Sequence, residues 1–337
     1  MRAIVYTETG DSGVLRLAER AAPEPGPGEV RVRVVRSGVN PTDWKSRRGG
    51  LGFAEAVPNQ DGAGVVDAVG PGVEGLQEGQ RVWLWEAAWQ RADGTAQEYV
   101  ALPARQAVPL PDQASFDLGA SIGIPALTAH RCLTVADGGP ERLGPGTLSG
   151  RTVLVAGGAG AVGNAAVQLA RWAGATVVTT VSSPAKARLA AAAGADHVVD
   201  YRAEDAADAI RKVAPGGVHI VVEVAPAPNA ALDNAVVAPG AVVAVYAENG
   251  GDEATLPVRE LYTRNVRYQF VLVYTMPEAA KLAAVEDVRA AVAAGALLVG
   301  EDAGLPLHHF PLERAAEAHD AVESGAVGKV LIDVAEG

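Results

Sequence analysis

The residues of this chain best suited to ligand chemistry form a glycine-rich loop, Ala156-Gly157-Gly158-Ala159-Gly160-Ala161-Val162-Gly163. Its GxGxxG spacing lies between a predicted strand at 152–156 and a predicted helix at 161–172. In that context the glycines allow a tight turn, close approach of a pyrophosphate to the backbone, and close packing of the helix on the strand. The free N–H groups and the dipole at the helix start favour phosphate charge. The pattern predicts a dinucleotide site, and a glycine-rich turn without a ligand is the alternative. The residues expected to contact the dinucleotide here are Gly158, Ala159, Gly160, Ala161, Val162 and Gly163.

The segment after the next predicted strand, at 176–180, indicates which dinucleotide binds. A site for NAD usually has an acidic residue there, which hydrogen-bonds to the adenosine ribose. This chain instead has Ser182, Ser183 and Lys186, which can bind a 2′-phosphate. Tyr201 and Arg202, after a third predicted strand at 197–199, can add a ring and a guanidinium. The sequence therefore predicts NADPH, and the alternative is that Lys186 and Arg202 are solvated surface charges.

The elements that must position these groups change in character along the chain. Short β-branched segments at 3–6, 30–35, 64–69 and 80–84, separated by Gly and Pro, predict a compact β-rich domain. Further strands at 220–224 and 242–246, and a helix at 184–193, continue the alternation of the glycine-loop region. That alternation predicts a doubly wound parallel sheet. We expect the β-rich domain to comprise residues 1–123 and 265–337, with the nucleotide domain inserted at 124–264.

Composition excludes several classes of protein. The chain has 337 residues, 49% hydrophobic and 20% charged, which is enough for two domains and too apolar for disorder. A formal net charge of −12 disfavours nucleic-acid and anionic-membrane binding. The one cysteine, Cys132, can form no internal disulfide and no thiolate-rich zinc site. Without a signal-peptide or membrane-spanning pattern, a soluble cytoplasmic protein is expected.

Several separate segments occur in an order typical of one family: Gly38-Val39-Asn40-Pro41-Thr42-Asp43, Asn59-Gln60-Asp61-Gly62-Ala63-Gly64, Gly79-Gln80-Arg81-Val82, Gly123-Ile124-Pro125-Ala126-Leu127-Thr128 and Gly328-Lys329. Together with the glycine loop, they resemble the medium-chain dehydrogenase/reductase superfamily. The resemblance runs nearly end to end and is to the zinc-free quinone oxidoreductase (zeta-crystallin-like) branch. It implies a GroES-like catalytic domain interrupted by a Rossmann domain, with NADPH in the cleft between them.

The resemblance also bears on metal use. Zinc-dependent relatives carry a Cys where this chain has Asn40 and a His where it has Gln60. Amides are poor zinc ligands, so we expect no metal. Without a Lewis acid, the simplest chemistry is hydride transfer from the nicotinamide to a quinone or to the β-carbon of an α,β-unsaturated carbonyl.

Site residues follow from the same comparison with the family. Asn40 resembles an amide near the nicotinamide ribose that can donate a hydrogen bond to developing negative charge, although an Asn before a proline also favours a turn. Lys45 stands where many relatives have a Tyr, and it either faces the pocket as a proton donor or faces solvent. Further cofactor contacts are expected at Pro41, Thr128, Tyr246, Phe270, Val271 and Lys329.

Three tryptophans, Trp83, Trp85 and Trp89, depart from the small residues common in relatives. They either form an aromatic wall for a flat acceptor or pack in the core.

An NADPH-dependent quinone or enone reductase is thus the leading hypothesis. An enoyl-thioester reductase and a non-catalytic NADPH-binding redox sensor or structural protein are the alternatives. A homodimer is expected through the apolar run at 266–274, if this run forms the last strand at a sheet edge. If the predicted helix at 277–294 covers that edge, the chain is a monomer.

Overall fold

The computed structural model describes residues 1–50 and 52–336. They form two compact units, Met1–Ile124 with Leu307–Gly337, and Pro125–Pro306. The prediction that residues 265–306 belong with the β-rich domain is wrong, because they lie in the second unit. The physical reason is the strand at Arg267–Phe270, which pairs in parallel with a strand of the nucleotide domain over four residues.

The first unit consists mostly of strands, whereas strands alternate with helices in the second. The strands are β1 Arg2–Val5, β2 Arg16–Glu19, β3 Glu29–Val39, β4 Asp61–Val69, β5 Arg81–Leu84, β6 Tyr99–Pro103, β7 Ala107–Pro109, β8 Thr152–Ala156, β9 Thr176–Val181, β10 His197–Asp200, β11 Val218–Glu223, β12 Val237–Val245, β13 Arg267–Phe270, β14 Leu307–Pro311 and β15 Lys329–Asp333. The helices are α1 Pro41–Gly49, α2 Phe116–Leu133, α3 Ala161–Trp172, α4 Pro184–Ala192, α5 Ala206–Val213, α6 Pro226–Val236, α7 Val258–Tyr262, α8 Glu278–Ala293 and α9 Ala315–Glu323.

The first unit is built on a seven-stranded sheet with the order β14-β15-β3-β4-β5-β7, in which β6 also pairs with β3. Val30, Val32 and Val34 of β3 are completely buried, and the arginines between them are half-buried. That alternation is the period of two that a strand with one buried face requires. The end of β3 and the starts of β4 and β15 meet at one buried polar cluster.

The second unit contains a six-stranded sheet with the order β10-β9-β8-β11-β12-β13, and all of its pairings are parallel. Numbered within the unit, this is the order 3-2-1-4-5-6 of a Rossmann fold. Val153, Leu154 and Val155 of β8 are buried, as expected for a strand covered by helices on both faces. The predicted fold class, α/β with a GroES-like and a Rossmann domain, is confirmed.

The apolar run at 266–274 forms a much shorter strand than predicted. Only Arg267–Phe270 is strand, and a 3-10 turn follows at Val273–Thr275. The backbone N–H of Val271 donates to the carbonyl of Val245, the last residue of β12. Beyond that point there is no neighbouring strand to pair with, so the chain leaves the sheet. Among the described residues, no helix is long and apolar enough to cross a membrane.

Candidate active site

The glycine loop joins β8 to α3, and the reason for a glycine differs from one position of the loop to the next. Gly157 has a φ of +72°, in the left-handed region that favours glycine. A Cβ on Gly158 would lie 2.2 Å from Thr179 Oγ1, and one on Gly163 would lie 2.3 Å from the carbonyl oxygen of Gly157. A Cβ on Gly160 would meet only that carbonyl oxygen, at 3.5 Å. Packing therefore requires glycine at 158 and 163, whereas at 160 it leaves open space for a ligand.

The start of α3 supplies donors for a phosphate. Gly160 is the N-cap residue, and its carbonyl accepts from the N–H of Asn164 at 2.7 Å. The N–H groups of Ala161, Val162 and Gly163 precede that first helical bond and have no partner within the helix. The loop follows β8, which neighbours β11 at the point where the strand order reverses. Ligands of doubly wound sheets bind at this point, so the cradle fits a pyrophosphate.

The structure brings Ser182, Ser183 and Lys186 together at the start of α4. Ser183 is the N-cap residue, and its Oγ accepts from the Lys186 backbone N–H at 3.3 Å. The Lys186 ammonium turns back to donate to Ser182 Oγ at 3.1 Å. Two hydroxyls, an ammonium and a helix start are thus grouped just beyond the carboxyl end of β9. This is a donor set suited to a phosphate monoester.

Tyr201 and Arg202 lie beside this group but are not bonded to it. The Tyr201 N–H donates to the carbonyl of Val181 at 3.2 Å, which places it next to the end of β9. Both side chains are exposed. The Arg202 N–H donates to Asp200 Oδ1 at 3.1 Å. Asp200 is thus a carboxylate in this region that the sequence analysis did not consider.

Tyr246, Phe270 and Val271 line one cavity of about 600 Å³ beyond the carboxyl ends of β12 and β13. Phe270 is 72% exposed, whereas Val271 is buried. The Tyr246 N–H donates to the carbonyl of Glu223 at 3.0 Å, and burial raises the pKa of its phenol. Apolar side chains share the lining of this cavity with the carboxylates of Glu248, Asp252 and Glu253. Thr128, the other hydroxyl expected at the cofactor, is buried in α2.

In the first unit, Asn40 is the centre of a buried polar cluster. It precedes Pro41, the first residue of α1, and its backbone N–H donates to Asp43 Oδ2 at 2.7 Å. Its side-chain Nδ2 donates to Asp61 Oδ2 at 2.7 Å. Its Oδ1 accepts from the Lys329 ammonium at 2.7 Å. Asn40 therefore does cap a helix, but its side chain is engaged by charged groups.

Burial controls protonation in this cluster. It raises the pKa of the Asp43 carboxyl to about 8, and the negative charge of Asp61 adds to the shift. Burial also raises the pKa of Asp61 and lowers that of the Lys329 ammonium, while attraction between these two groups opposes both shifts. Two acids and one base in a dry site thus hold each other in place.

The two lysines predicted for the site lie in different surroundings. Lys45 is exposed, with its ammonium 5.9 Å from the centre of the Trp44 ring. Lys329, which was expected to contact the cofactor, is only 1% exposed and instead donates to Asn40. Lys329 rather than Lys45 is therefore the cation hydrogen-bonded to the candidate catalytic amide.

Comparison with known proteins shows which family the chain belongs to. Residues 26–112 match the family profile of the alcohol dehydrogenase GroES-like domain, and residues 161–288 match that of the zinc-binding dehydrogenases. The quinone oxidoreductase of Lama guanicoe is 30% identical over 339 residues, covering 98% of this chain and 97% of the relative. The chain belongs to the medium-chain dehydrogenase/reductase superfamily. Its end-to-end relatives place it in the quinone oxidoreductase branch of that superfamily.

Other relatives of this dehydrogenase/reductase match in part. The synaptic vesicle membrane protein VAT-1 homolog of Rattus norvegicus is 34% identical over 66% of this chain. The 2-methylene-furan-3-one reductase of Solanum lycopersicum is 34% identical over 62% of it. The chain spans about half the length of each, 53% and 54% respectively.

Solved structures agree over the full length of the chain. A crystal structure of an NAD-dependent alcohol dehydrogenase superposes with a TM-score of 0.84 at 31% identity, covering 99% of this chain and 100% of that one. A mycobacterial protein in complex with NADPH gives 0.81 at 30% identity, covering 98% and 99%. The protein is thus an oxidoreductase of this superfamily, and the two neighbours differ in the cofactor they name.

The residues present in this oxidoreductase do not fit a zinc ion. Within residues 1–50 and 52–336, no group of three or more His, Cys, Asp or Glu side chains could hold a metal. Gln60 Oε1 accepts from the backbone N–H of Ala88 at 3.1 Å. The Asn40 Oδ1 and Asp61 Oδ2 oxygens already face the Lys329 ammonium, at 2.7 and 3.4 Å. These two oxygens are thus already engaged by a cation of the protein itself.

Two of the three tryptophans are completely buried. Trp83 and Trp85 are both 0% exposed, and the indole N–H of Trp85 donates to the carbonyl of Arg105 at 3.2 Å. Trp89 is half-buried. These positions favour core packing over an aromatic wall for Trp83 and Trp85.

Sequence reasoning assigned no role to Asp43 or Asp61 in the first unit. The spacing of Asn40 and Asp43 was a usable signal, because an acid three residues after an N-cap residue often bonds back to its N–H. Sequence reasoning also missed Glu223 at the end of β11. Its side chain is buried and accepts from the Asn229 amide at 3.0 Å. No local pattern indicates the contacts of Asp61 or Glu223.

Proposed function

We propose that the protein is an NADPH-dependent reductase that transfers hydride, without zinc, to a quinone or to an α,β-unsaturated carbonyl compound. The observation that carries the cofactor assignment is the grouping of Ser182, Ser183 and Lys186 at the start of α4. This donor set suits the 2′-phosphate that distinguishes NADPH from NADH. The NADPH-bound neighbour supports the same cofactor, and the end-to-end quinone oxidoreductase relatives support the acceptor class.

In this proposal the protein's residues bind NADPH, orient it toward the acceptor and exclude water from the reaction. The N–H groups at the start of α3 hold the pyrophosphate, and Ser182, Ser183 and Lys186 hold the 2′-phosphate. Bound NADPH supplies the hydride from its nicotinamide ring. The amide of Asn40 donates a hydrogen bond to the acceptor oxygen as negative charge develops on it. In zinc-dependent members of the superfamily a zinc ion would stabilise the negative charge on the acceptor oxygen. In this protein neutral hydrogen-bond donors in fixed positions would stabilise it.

The experiment is NADPH oxidation with a panel of small quinones, a panel of enones, and an enoyl thioester. Each reaction contains a chelator, and metal content is determined on the same protein. Turnover with a quinone or an enone supports the proposal. Turnover with the enoyl thioester alone would replace it with the enoyl-thioester reductase alternative. Tight NADPH binding with no turnover on any acceptor would leave the non-catalytic alternative.

We also propose a homodimer formed through the edge of the six-stranded sheet. β13 is the edge strand; Phe270, its last residue, is 72% exposed, and Leu272, two residues beyond it, is 54% exposed. Exposed apolar side chains at the free edge of a sheet favour pairing with a second copy. The cytoplasmic location expected from the sequence stays a prediction.

A further inference from the structure

The side-chain amide of Asn40 is held at both ends by buried charged groups. Its Nδ2 donates to the Asp61 carboxylate and its Oδ1 accepts from the Lys329 ammonium, each at 2.7 Å. Turning the amide over would place its NH₂ group against the ammonium and its carbonyl oxygen against the carboxylate. Both contacts would be repulsive in a dry site. The orientation of the amide is therefore fixed by charge.

The two charged residues are themselves anchored. Asp61 Oδ1 accepts from the Ile124 N–H at 2.8 Å, and a Cβ on Gly123 would lie 2.2 Å from the same oxygen. The Lys329 stem runs over Gly38, where a Cβ would lie 3.1 Å from Lys329 Cε. Glycine at 123 thus makes room for the Asp61 carboxylate, whereas glycine at 38 is required first by the Ala120 carbonyl oxygen, 2.0 Å from the Cβ position. Such a support holds the Asn40 amide in one place.

A chain of hydrogen bonds braces Asp61 from behind. The Thr95 hydroxyl donates to the Asp61 carbonyl at 2.5 Å and accepts from Ser37 Oγ at 2.7 Å. Asn59 Nδ2 donates to Ser37 Oγ at 2.9 Å, and the Asn59 carbonyl oxygen lies 3.0 Å from His319 Nε2. Only Thr95 reaches Asp61, at its backbone carbonyl, and the chain of bonds connects that carbonyl through Ser37 and Asn59 to His319.

We propose that Lys329 and Asp61 are positioning residues for Asn40. An amide has two N–H donors, and Asp61 uses one of them. The pair therefore directs the second Nδ2 proton of Asn40 at a fixed angle toward the acceptor oxygen. The inference rests on the proposed function, in which Asn40 stabilises charge on the acceptor. The inference gives Lys329, which the sequence analysis expected at the cofactor, a role through Asn40, to which its ammonium donates at 2.7 Å.

The kinetic test is a double-mutant cycle of Asn40→Ala and Lys329→Met, with Lys212→Met as an exposed-lysine control. We expect Asn40→Ala to lower kcat about 100-fold. Lys329→Met should lower it at least about 10-fold with the Kd for NADPH unchanged. The double variant should be no slower than Asn40→Ala, because Lys329 acts only through that amide. Multiplied effects in the double variant, or a raised Kd for NADPH with unchanged kcat, would overturn the proposal.

Loss of one buried charge leaves the other unpaired and can prevent folding. The double substitution Asp61→Asn/Lys329→Met removes both members of the pair, so neither is left without the other, and it should show the same loss of kcat. Turnover equal to that of the parent in this folded variant would overturn the proposal.

A second readout does not depend on activity. The side-chain ¹⁵N–¹H signals of Asn40, assigned by their loss in Asn40→Ala, should be slow to exchange with solvent in the parent protein. They should exchange faster in Asp61→Asn/Lys329→Met and stay unchanged in Lys212→Met. Unchanged exchange in Asp61→Asn/Lys329→Met would overturn the positioning role. Failure of the parent to oxidise NADPH with any acceptor would instead refute the proposed function and leave the exchange result to decide the positioning role.

Discussion

At the scale of single residues, Lys186 has the most direct bearing on cofactor choice. Its ammonium is 3.1 Å from Ser182 Oγ at the start of α4. Lys186→Ala should weaken NADPH binding by about 10- to 100-fold, since a charge-assisted hydrogen bond contributes roughly 1.5–3 kcal/mol. NADH, which lacks the phosphate, should bind as before. Fluorescence titration with both cofactors measures the two effects.

The matched control for this experiment is Arg188→Ala. Arg188 is an exposed cation on the same helix, two residues further along. It should leave both affinities unchanged. Equal weakening of NADPH and NADH by Lys186→Ala would mean that the lysine does not recognise the 2′-phosphate.

The buried side chain of His319 makes the stability of the folded protein depend on pH. Burial lowers its pKa from 6.5 to about 3, and the nearby Arg47 adds to the effect. Below pH 6.5 the unfolded chain therefore binds a proton that the folded protein does not, and stability is lost as pH falls. The loss should be about 1.4 kcal/mol per pH unit.

The comparison that isolates this effect is with His319→Gln, which keeps a donor for Asn59 but cannot titrate. The thermal midpoint of the parent should fall more than that of the variant between about pH 7.5 and about pH 5.5. Identical pH profiles for the two proteins would contradict the assignment of a buried neutral histidine.

At the scale of elements, the glycine loop separates packing from ligand binding. Gly160→Ala introduces a Cβ into open space at a φ of −86°, which alanine adopts freely. This variant should keep the thermal midpoint of the parent and lose dinucleotide affinity, because the methyl group occupies the pyrophosphate position. Calorimetric titration with NADPH and a thermal scan measure both quantities.

Gly158→Ala serves as the contrasting variant. Its Cβ would lie 2.2 Å from Thr179 Oγ1, so the midpoint should fall. If Gly160→Ala bound NADPH as tightly as the parent, the loop would not be the pyrophosphate site.

The elements also show what a sequence can predict. Local signals identified the glycine loop, the donor set at the start of α4 and the parallel sheet, because each depends on residues close together in the chain. The contact between Asn40 and Lys329 spans 289 positions, and only the pairing of β15 with β3 brings the two residues together. The early end of β13 depends equally on where β12 stops. Contacts of this kind follow from tertiary structure and have no local pattern.

At the scale of the whole molecule, the edge of the six-stranded sheet predicts association of two chains. Leu272→Lys places a charge on the exposed apolar edge and should shift the mass in light scattering from twice 34.4 kDa toward 34.4 kDa. Val271 is buried, so a substitution there would test packing rather than the interface.

Leu298→Lys is the matched control for the interface, because Leu298 is 52% exposed and its N–H donates to Gln168 of α3 rather than to β13. It should leave the dimer intact. A parent mass of 34.4 kDa would reject the dimer. An unchanged dimer in Leu272→Lys would place the interface elsewhere.

The central claim concerns the reaction of the whole protein, an NADPH-dependent hydride transfer that needs no zinc. The most direct measurement is kcat/KM for NADPH and for NADH with the best quinone or enone acceptor, on protein dialysed against a chelator and analysed for metal. The account predicts full turnover by zinc-free protein and a preference for NADPH of at least about tenfold, equivalent to about 1.4 kcal/mol. Turnover that is lost on chelation and restored by zinc, or NADH used as well as NADPH, would contradict it.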